Sequence, residues 1–89
     1  MDWELRLRQA PGLEITEVVG GFVVQKRDED RLHFLNPTAA FILQACDGSL
    51  RAEELPELLA SAFALERIPR DDVEACLTAL LREGLLVDR

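Results

Sequence analysis

LNPTAAFILQACDG, residues Leu35–Gly48, is a polar stop, an apolar helix and a turn in immediate succession. Asn36 is a residue type that caps the first backbone N–H groups of a helix. Pro37 then falls at the first helical position, where its missing N–H costs nothing. Ala39, Ala40, Phe41, Ile42, Leu43, Ala45 and Cys46 make the predicted helix, Pro37–Cys46, apolar almost all round, so it belongs inside the protein. Asp47-Gly48 ends it in a turn. The helix carries no ionisable group suited to catalysis, which points to a packed module that works on its outside.

Upstream of this segment the pattern is that of strands. Leu13, Ile15, Val18 and Val19 suggest a first strand, Gly20-Gly21 a tight turn and Phe22–Lys26 a second strand. Asp28-Glu29-Asp30 is a polar loop without the ligand spacing of a calcium site. Arg31–Leu35 alternates as a third strand, with Leu32 and Phe34 on one face and Arg31 and His33 on the other. His33 is expected to face solvent or to sit at a rim, with contact to a partner as the alternative. Residues 1–12 read as an N-terminal arm, free of the domain, with Trp3 its only large anchor.

Downstream, two more helices are expected. Leu55, Leu58, Leu59, Ala62 and Phe63 recur at i, i+3, i+4, i+7, i+8, and Val73, Cys76, Leu77, Leu80 and Leu81 repeat that spacing. Pro56 delays the start of the first of these to about Glu53. Asp71 and Asp72 suit the start of the last helix, and Gly84 its left-handed cap. Leu85-Leu86-Val87 forms a short terminal strand or packs. Strands followed by helices argue for α+β: an N-terminal three-stranded antiparallel sheet packed on a three-helix, winged-helix-like bundle. One domain is expected over residues 13–89.

The chain has 89 residues, 48% of them hydrophobic, enough for one core but not for a large enclosed active site. Its formal net charge is −7, with 5 basic and 8 acidic side chains in residues 1–49 and 5 and 9 in residues 50–89. Neither half is a basic arm, so phosphate backbones and anionic membranes are repelled. The last helix sets Asp71, Asp72, Glu74 and Glu83 against Arg82 alone, the reverse of a DNA-recognition helix. Cys46 and Cys76 lie in apolar helical patterns and form no CxxC, so buried thiols are expected and no metal or other cofactor. His33 has no nucleophile partner, Ser49 and Ser61 lack a GxSxG context, and Gly20-Gly21 lacks the lysine of a phosphate loop. No enzyme is indicated. The first residues do not read as a signal peptide and no apolar run reaches a membrane span, so a cytoplasmic protein is expected.

What remains is an edge. In a meander, Arg31–Leu35 has one side unpaired, and open edges accept a strand from another chain. Asp72, Ala75, Cys76 and Ala79 lie along one flank of the last helix, and small side chains beside an open strand leave a groove. The alternative is that the alanines serve close helix packing.

RLHFLNPTAAFILQACDG (Arg31–Gly48), LPELLASAF (Leu55–Phe63) and DVEACLTALLREGLL (Asp72–Leu86), in this order, resemble the PqqD-like family of peptide chaperones, or precursor-peptide recognition elements. The resemblance spans roughly residues 13–87. It implies a three-stranded sheet on three helices that binds the leader segment of a ribosomally made precursor peptide. The leader adds to the third strand, here Arg31, Leu32, His33 and Phe34, and lies against the third helix, here Asp72, Ala75, Cys76 and Ala79. It also implies a processing enzyme as partner, a radical-SAM protein or a leader peptidase. Pro56 and the arm Met1–Pro11 depart from the family pattern. The rival readings are a winged-helix DNA-binding regulator and a structural domain that homodimerises through the same edge.

Overall fold

The computed structural model describes residues 1–88; Arg89, the last residue of the expected domain, lies outside the described residues. The chain runs β1 (Arg8–Gln9), β2 (Leu13–Val18), β3 (Gly21–Lys26), β4 (Leu32–Leu35), α1 (Pro37–Ala45), a 3-10 turn (Ala52–Glu54), α2 (Leu55–Ala62), α3 (Arg70–Arg82) and β5 (Leu86–Val87). β2, β3 and β4 form an antiparallel meander in that order, and β1 pairs with β5 in a separate two-stranded ladder. The α+β expectation of a three-stranded sheet with three helices is met.

The helix ends follow their sequence signals. Asn36 Oδ1 accepts the Ala39 backbone N–H at 2.8 Å and the Thr38 hydroxyl at 2.9 Å, which fixes the start of α1. Pro56 occupies the first turn of α2, behind the 3-10 turn, so the α-helix proper starts two residues later than Glu53. α3 ends in a Schellman motif: Gly84 takes φ +76°, its N–H donates to Leu81 O at 3.1 Å, and Leu85 N–H donates to Leu80 O at 2.9 Å. That reversal drops Leu85 and Leu86 into the core.

The core joins Val24 of the sheet, Ile42 and Leu43 of α1, Leu55 and Leu59 of α2, Val73, Leu77 and Leu80 of α3, and Leu85 and Leu86. α1 is less covered than its apolar composition suggests: Ala40, Ile42 and Leu43 are buried, Thr38, Ala39, Phe41 and Ala45 are half-buried, and Pro37 and Gln44 are exposed. Leu58 and Phe63 are more exposed than the α2 stripe suggests, although Phe63 meets Phe41 edge-on at a centroid distance of 5.7 Å.

The N-terminal segment differs from the expected free arm. Leu7 is only 2% exposed, buried more deeply than Trp3, and Ala10 is buried too. Its backbone is bonded along its length: Glu53 N–H donates to Trp3 O, Ala52 N–H to Leu5 O and Gly48 N–H to Leu7 O, at 2.9, 2.7 and 3.0 Å. Trp3 lies under the Arg70 guanidinium at 4.3 Å, which ties the segment to the start of α3. The hairpin also shifts by one residue. Val18 pairs with Gly21, so Val19-Gly20 make the turn and Gly21 belongs to β3.

Candidate functional site: an open edge beside a helix flank

Among the described residues, β4 pairs with β3 on one side and with no strand on the other. Phe22 faces Leu35, Val23 faces Phe34, Val24 faces His33 and Gln25 faces Leu32. Directly opposed side chains share a face of the sheet. Val24 is fully buried against the helices, so His33 and Leu35 point inward, and Leu32 and Phe34 point to solvent. Leu32 is 64% and Phe34 61% exposed, whereas the His33 side chain is only 10% exposed. The expectation that His33 faces solvent is therefore corrected: it turns inward and lines the groove between β4 and α3. A strand reading L-H-F-L satisfies either face by alternation, and the register against Val24 chooses the one that covers histidine.

The edge also has a definite hydrogen-bonding direction. A Cβ built on Gly21 would lie 2.3 Å from the Leu35 carbonyl oxygen, so that carbonyl points at β3. In an antiparallel ladder successive residues turn their N–H and C=O to opposite sides. Leu35 and His33 therefore bond toward β3, while Leu32 and Phe34 present their backbone groups to the open side.

Opposite that edge stands the last turn of α3. Arg31, Leu32, His33, Phe34 and Leu35 line one wall of a groove whose other wall is Ala79, Leu80, Glu83 and Leu85. The groove continues from Ala79 along α3 over Ala75 and Thr78, rimmed by Asp71, Glu74 and Arg82. Arg31 pairs with the Glu83 carboxylate, and His33 Nδ1 lies 3.7 Å from the same Oε1. These contacts close the end of the groove where β4 begins. His33 Nε2 is covered and has no hydrogen-bond partner among the described residues.

Arg31, just before β4, and Leu32, His33 and Phe34 of β4, the four residues expected from this strand, are thus together, and Ala79 faces them. Ala75 lies one turn further along the same flank. Cys76 and Asp72 do not line this groove. Cys76 packs on the core, and Asp72 sits with Arg67–Asp71 at the opposite end of α3. Leu80, Glu83 and Leu85 are wall residues that sequence reasoning missed; α3 itself and its last turn carry Leu80 and Glu83, and the Schellman reversal at Gly84, signalled by the Gly-Leu-Leu that follows α3, brings Leu85 there.

Burial pushes the Cys46 thiol up to about 12, with Cys76 and Asp47 adding to the shift, and burial also raises the Cys76 thiol. Neither is an activated nucleophile. No group of three or more His, Cys, Asp or Glu among the described residues is placed to hold a metal ion. No helix among them is long and apolar enough to cross a membrane.

The architecture is shared with a solved structure of lasso peptide synthetase B1 complexed with the leader peptide. That structure matches with a TM-score of 0.67 and 23% sequence identity, over 92% of this chain and 98% of that one. At this identity the likeness establishes the fold. No curated protein sequence matches the chain. Residues 21–86, from the start of β3 into β5 and well over half of the chain, match the family described as Coenzyme PQQ synthesis protein D (PqqD). The chain belongs to the PqqD family.

Proposed function

We propose that this protein is a non-catalytic recognition module for the leader segment of a ribosomally synthesised precursor peptide. The leader adds as a strand to β4 and lies along the Ala79–Ala75 flank of α3. Backbone pairing with Leu32 and Phe34 supplies affinity, and the groove between His33, Ala79 and Glu83 sets register. The carrying observation is the β4 edge, unpaired among the described residues and facing a helix flank of small side chains. The related fold of lasso peptide synthetase B1, which holds a leader peptide, supports the same reading.

Holding the leader beside a modifying enzyme, a radical-SAM protein or a leader peptidase, raises the effective concentration of the precursor at that enzyme's site. The two raised thiols and the lone imidazole support a binding role rather than a chemical one. The acidic rim of α3, Asp71, Asp72 and Glu74, disfavours nucleic acid as the partner. The chain works in the compartment where precursors are made, the cytoplasm. A second reading, self-pairing of two β4 edges into a dimer, is favoured by the exposure of Leu32 and Phe34.

The direct test is titration of a fluorescent leader peptide, from a short reading frame beside the gene, against wild type and Leu32→Pro. The Leu32 N–H points to the open side, so proline removes an edge donor and leaves the β3 ladder intact. Binding should weaken at least about tenfold, the equivalent of one or two backbone hydrogen bonds. Unchanged affinity in a folded Leu32→Pro variant contradicts strand addition, and light scattering that shows a dimer displaced by peptide assigns the edge to both roles.

A further inference from the structure

An added strand has two faces, and only the inner one meets the groove. Successive side chains of any strand paired with β4 must alternate between the His33–Glu83 groove and the outer surface of the sheet. Those on the outside fall at cross-strand distance from Leu32 and Phe34. An antiparallel sheet covered on one side normally keeps its open face polar. Here β2 follows that rule with Glu14 and Thr16 and departs from it only with Val18 beside the hairpin turn, but the β4 end carries Leu32 and Phe34, at 64% and 61% exposure, beside half-buried Val23. The Phe34 ring lies over Gly21, where an added Cβ would come within 2.8 Å of Cζ. The sheet thus presents an aromatic platform at the edge itself.

We infer that Leu32 and Phe34 are specificity-determining residues, and that the segment they select is extended and two-faced, with apolar or aromatic side chains at two alternate positions, i and i+2, on its solvent side. This rests on strand addition at β4 and adds what that reading leaves open, the side-chain chemistry of the bound segment. Two apolar neighbours on the incoming strand extend the Val23–Phe34 strip across the new strand and remove apolar surface from water. A polar pair there gains nothing from the platform, although its backbone bonds are the same.

The experiment selects phage-displayed random dodecapeptides on the immobilised full chain and on a Leu32→Gln/Phe34→Thr double variant. Both replacements lie on the exposed outer face and keep the strand, which circular dichroism checks. Each best binder is synthesised, and amide exchange of β4 is followed with it bound. Wild type should return peptides with apolar or aromatic residues at i and i+2, and replacing both by serine should weaken binding about tenfold, the size of two cross-strand apolar pairs. On the double variant the same replacement should change affinity less than twofold. Binders that protect the Leu32 and Phe34 amides but show no alternation, or that lose equal affinity on both proteins, overturn the inference and leave strand addition standing. No binder, or binders that leave β4 amides unprotected, overturn strand addition and the inference with it.

Discussion

Replacing Gly21 by alanine tests how tightly β4 is seated. Gly21 has an ordinary strand backbone, so conformational freedom is not its role; Gly20, its neighbour, has φ +85° and open space around it. At Gly21 a methyl group would sit 2.3 Å from the Leu35 carbonyl oxygen and 2.8 Å from Phe34 Cζ. A carbon–oxygen contact needs at least about 3 Å, so β4 must move away by roughly 0.7 Å or more. That displacement breaks one or two ladder bonds, about 1 kcal/mol each, and turns Phe34 off its rotamer for about 1 kcal/mol more. Gly21→Ala should therefore cost about 2–3 kcal/mol, or a fall in Tm of roughly 10–20 °C for a domain of this size. Gly20→Ala should cost about 1–2 kcal/mol from its left-handed backbone alone, and Gly20→Asn less, because asparagine tolerates that region. Urea unfolding of the three variants, with leader titration beside it, provides the comparison. Leader binding should weaken for Gly21→Ala and stay at the wild-type value for both Gly20 variants. A Gly21→Ala protein with the wild-type unfolding midpoint would refute the close seating of β4 on β3.

Asn36→Ala removes the cap between β4 and α1 and should cost about 1 kcal/mol, read as a lower urea midpoint with unchanged slope. Ser49 donates its hydroxyl and its N–H to the Asp47 carboxylate at 2.5 and 2.9 Å, and the hydroxyl first, then the N–H, holds that carboxyl below its ordinary 3.8. A depressed acid stabilises the fold fully above its unfolded pKa, and this contribution is lost as pH falls through the folded value. Asp47→Asn should accordingly lose less stability than wild type between pH 5 and pH 2, by unfolding at a series of pH values, and parallel acid limbs would contradict it. Both thiols should resist iodoacetamide at pH 8 in the native protein, with Cys76 alkylated before Cys46 because it is less covered, as peptide mass spectrometry would show.

Much of this molecule is legible in local signals, because the elements that seat β4 have them. Asn36-Pro37 marks where the edge strand stops, Gly84 marks where α3 reverses, and the strand pattern alone indicates three strands and an unpaired edge. The face of β4 is not legible locally. Leu32 and Phe34 look like core residues, and only pairing with Val24, itself packed on the helices, turns them outward. The N-terminal segment did carry a signal: Trp3, Leu5 and Leu7 alternate with Asp2, Glu4, Arg6 and Arg8, the period of a half-buried extended chain. The dense charge on the other face masks it, and its partners, Gly48, Ala52 and Glu53, lie more than forty residues away. The groove depends on similar long-range placement. Ala75 and Ala79 are visible as small residues, but Leu85 reaches the site only through the turn at Gly84, Glu83 reads as one more solvated acid at the end of α3, and helical periodicity does not separate Cys76, on the core, from Ala79, on the groove.

The central claim is that a leader strand pairs with β4. Residue-resolved amide exchange of β4, with and without saturating leader peptide, addresses it most directly. Leu32 and Phe34, whose N–H groups face the open side, should become protected on binding, while His33, already bonded to β3, should change little. Protection confined to the helices, with Leu32 and Phe34 exchanging as fast as in the free protein, would contradict the account.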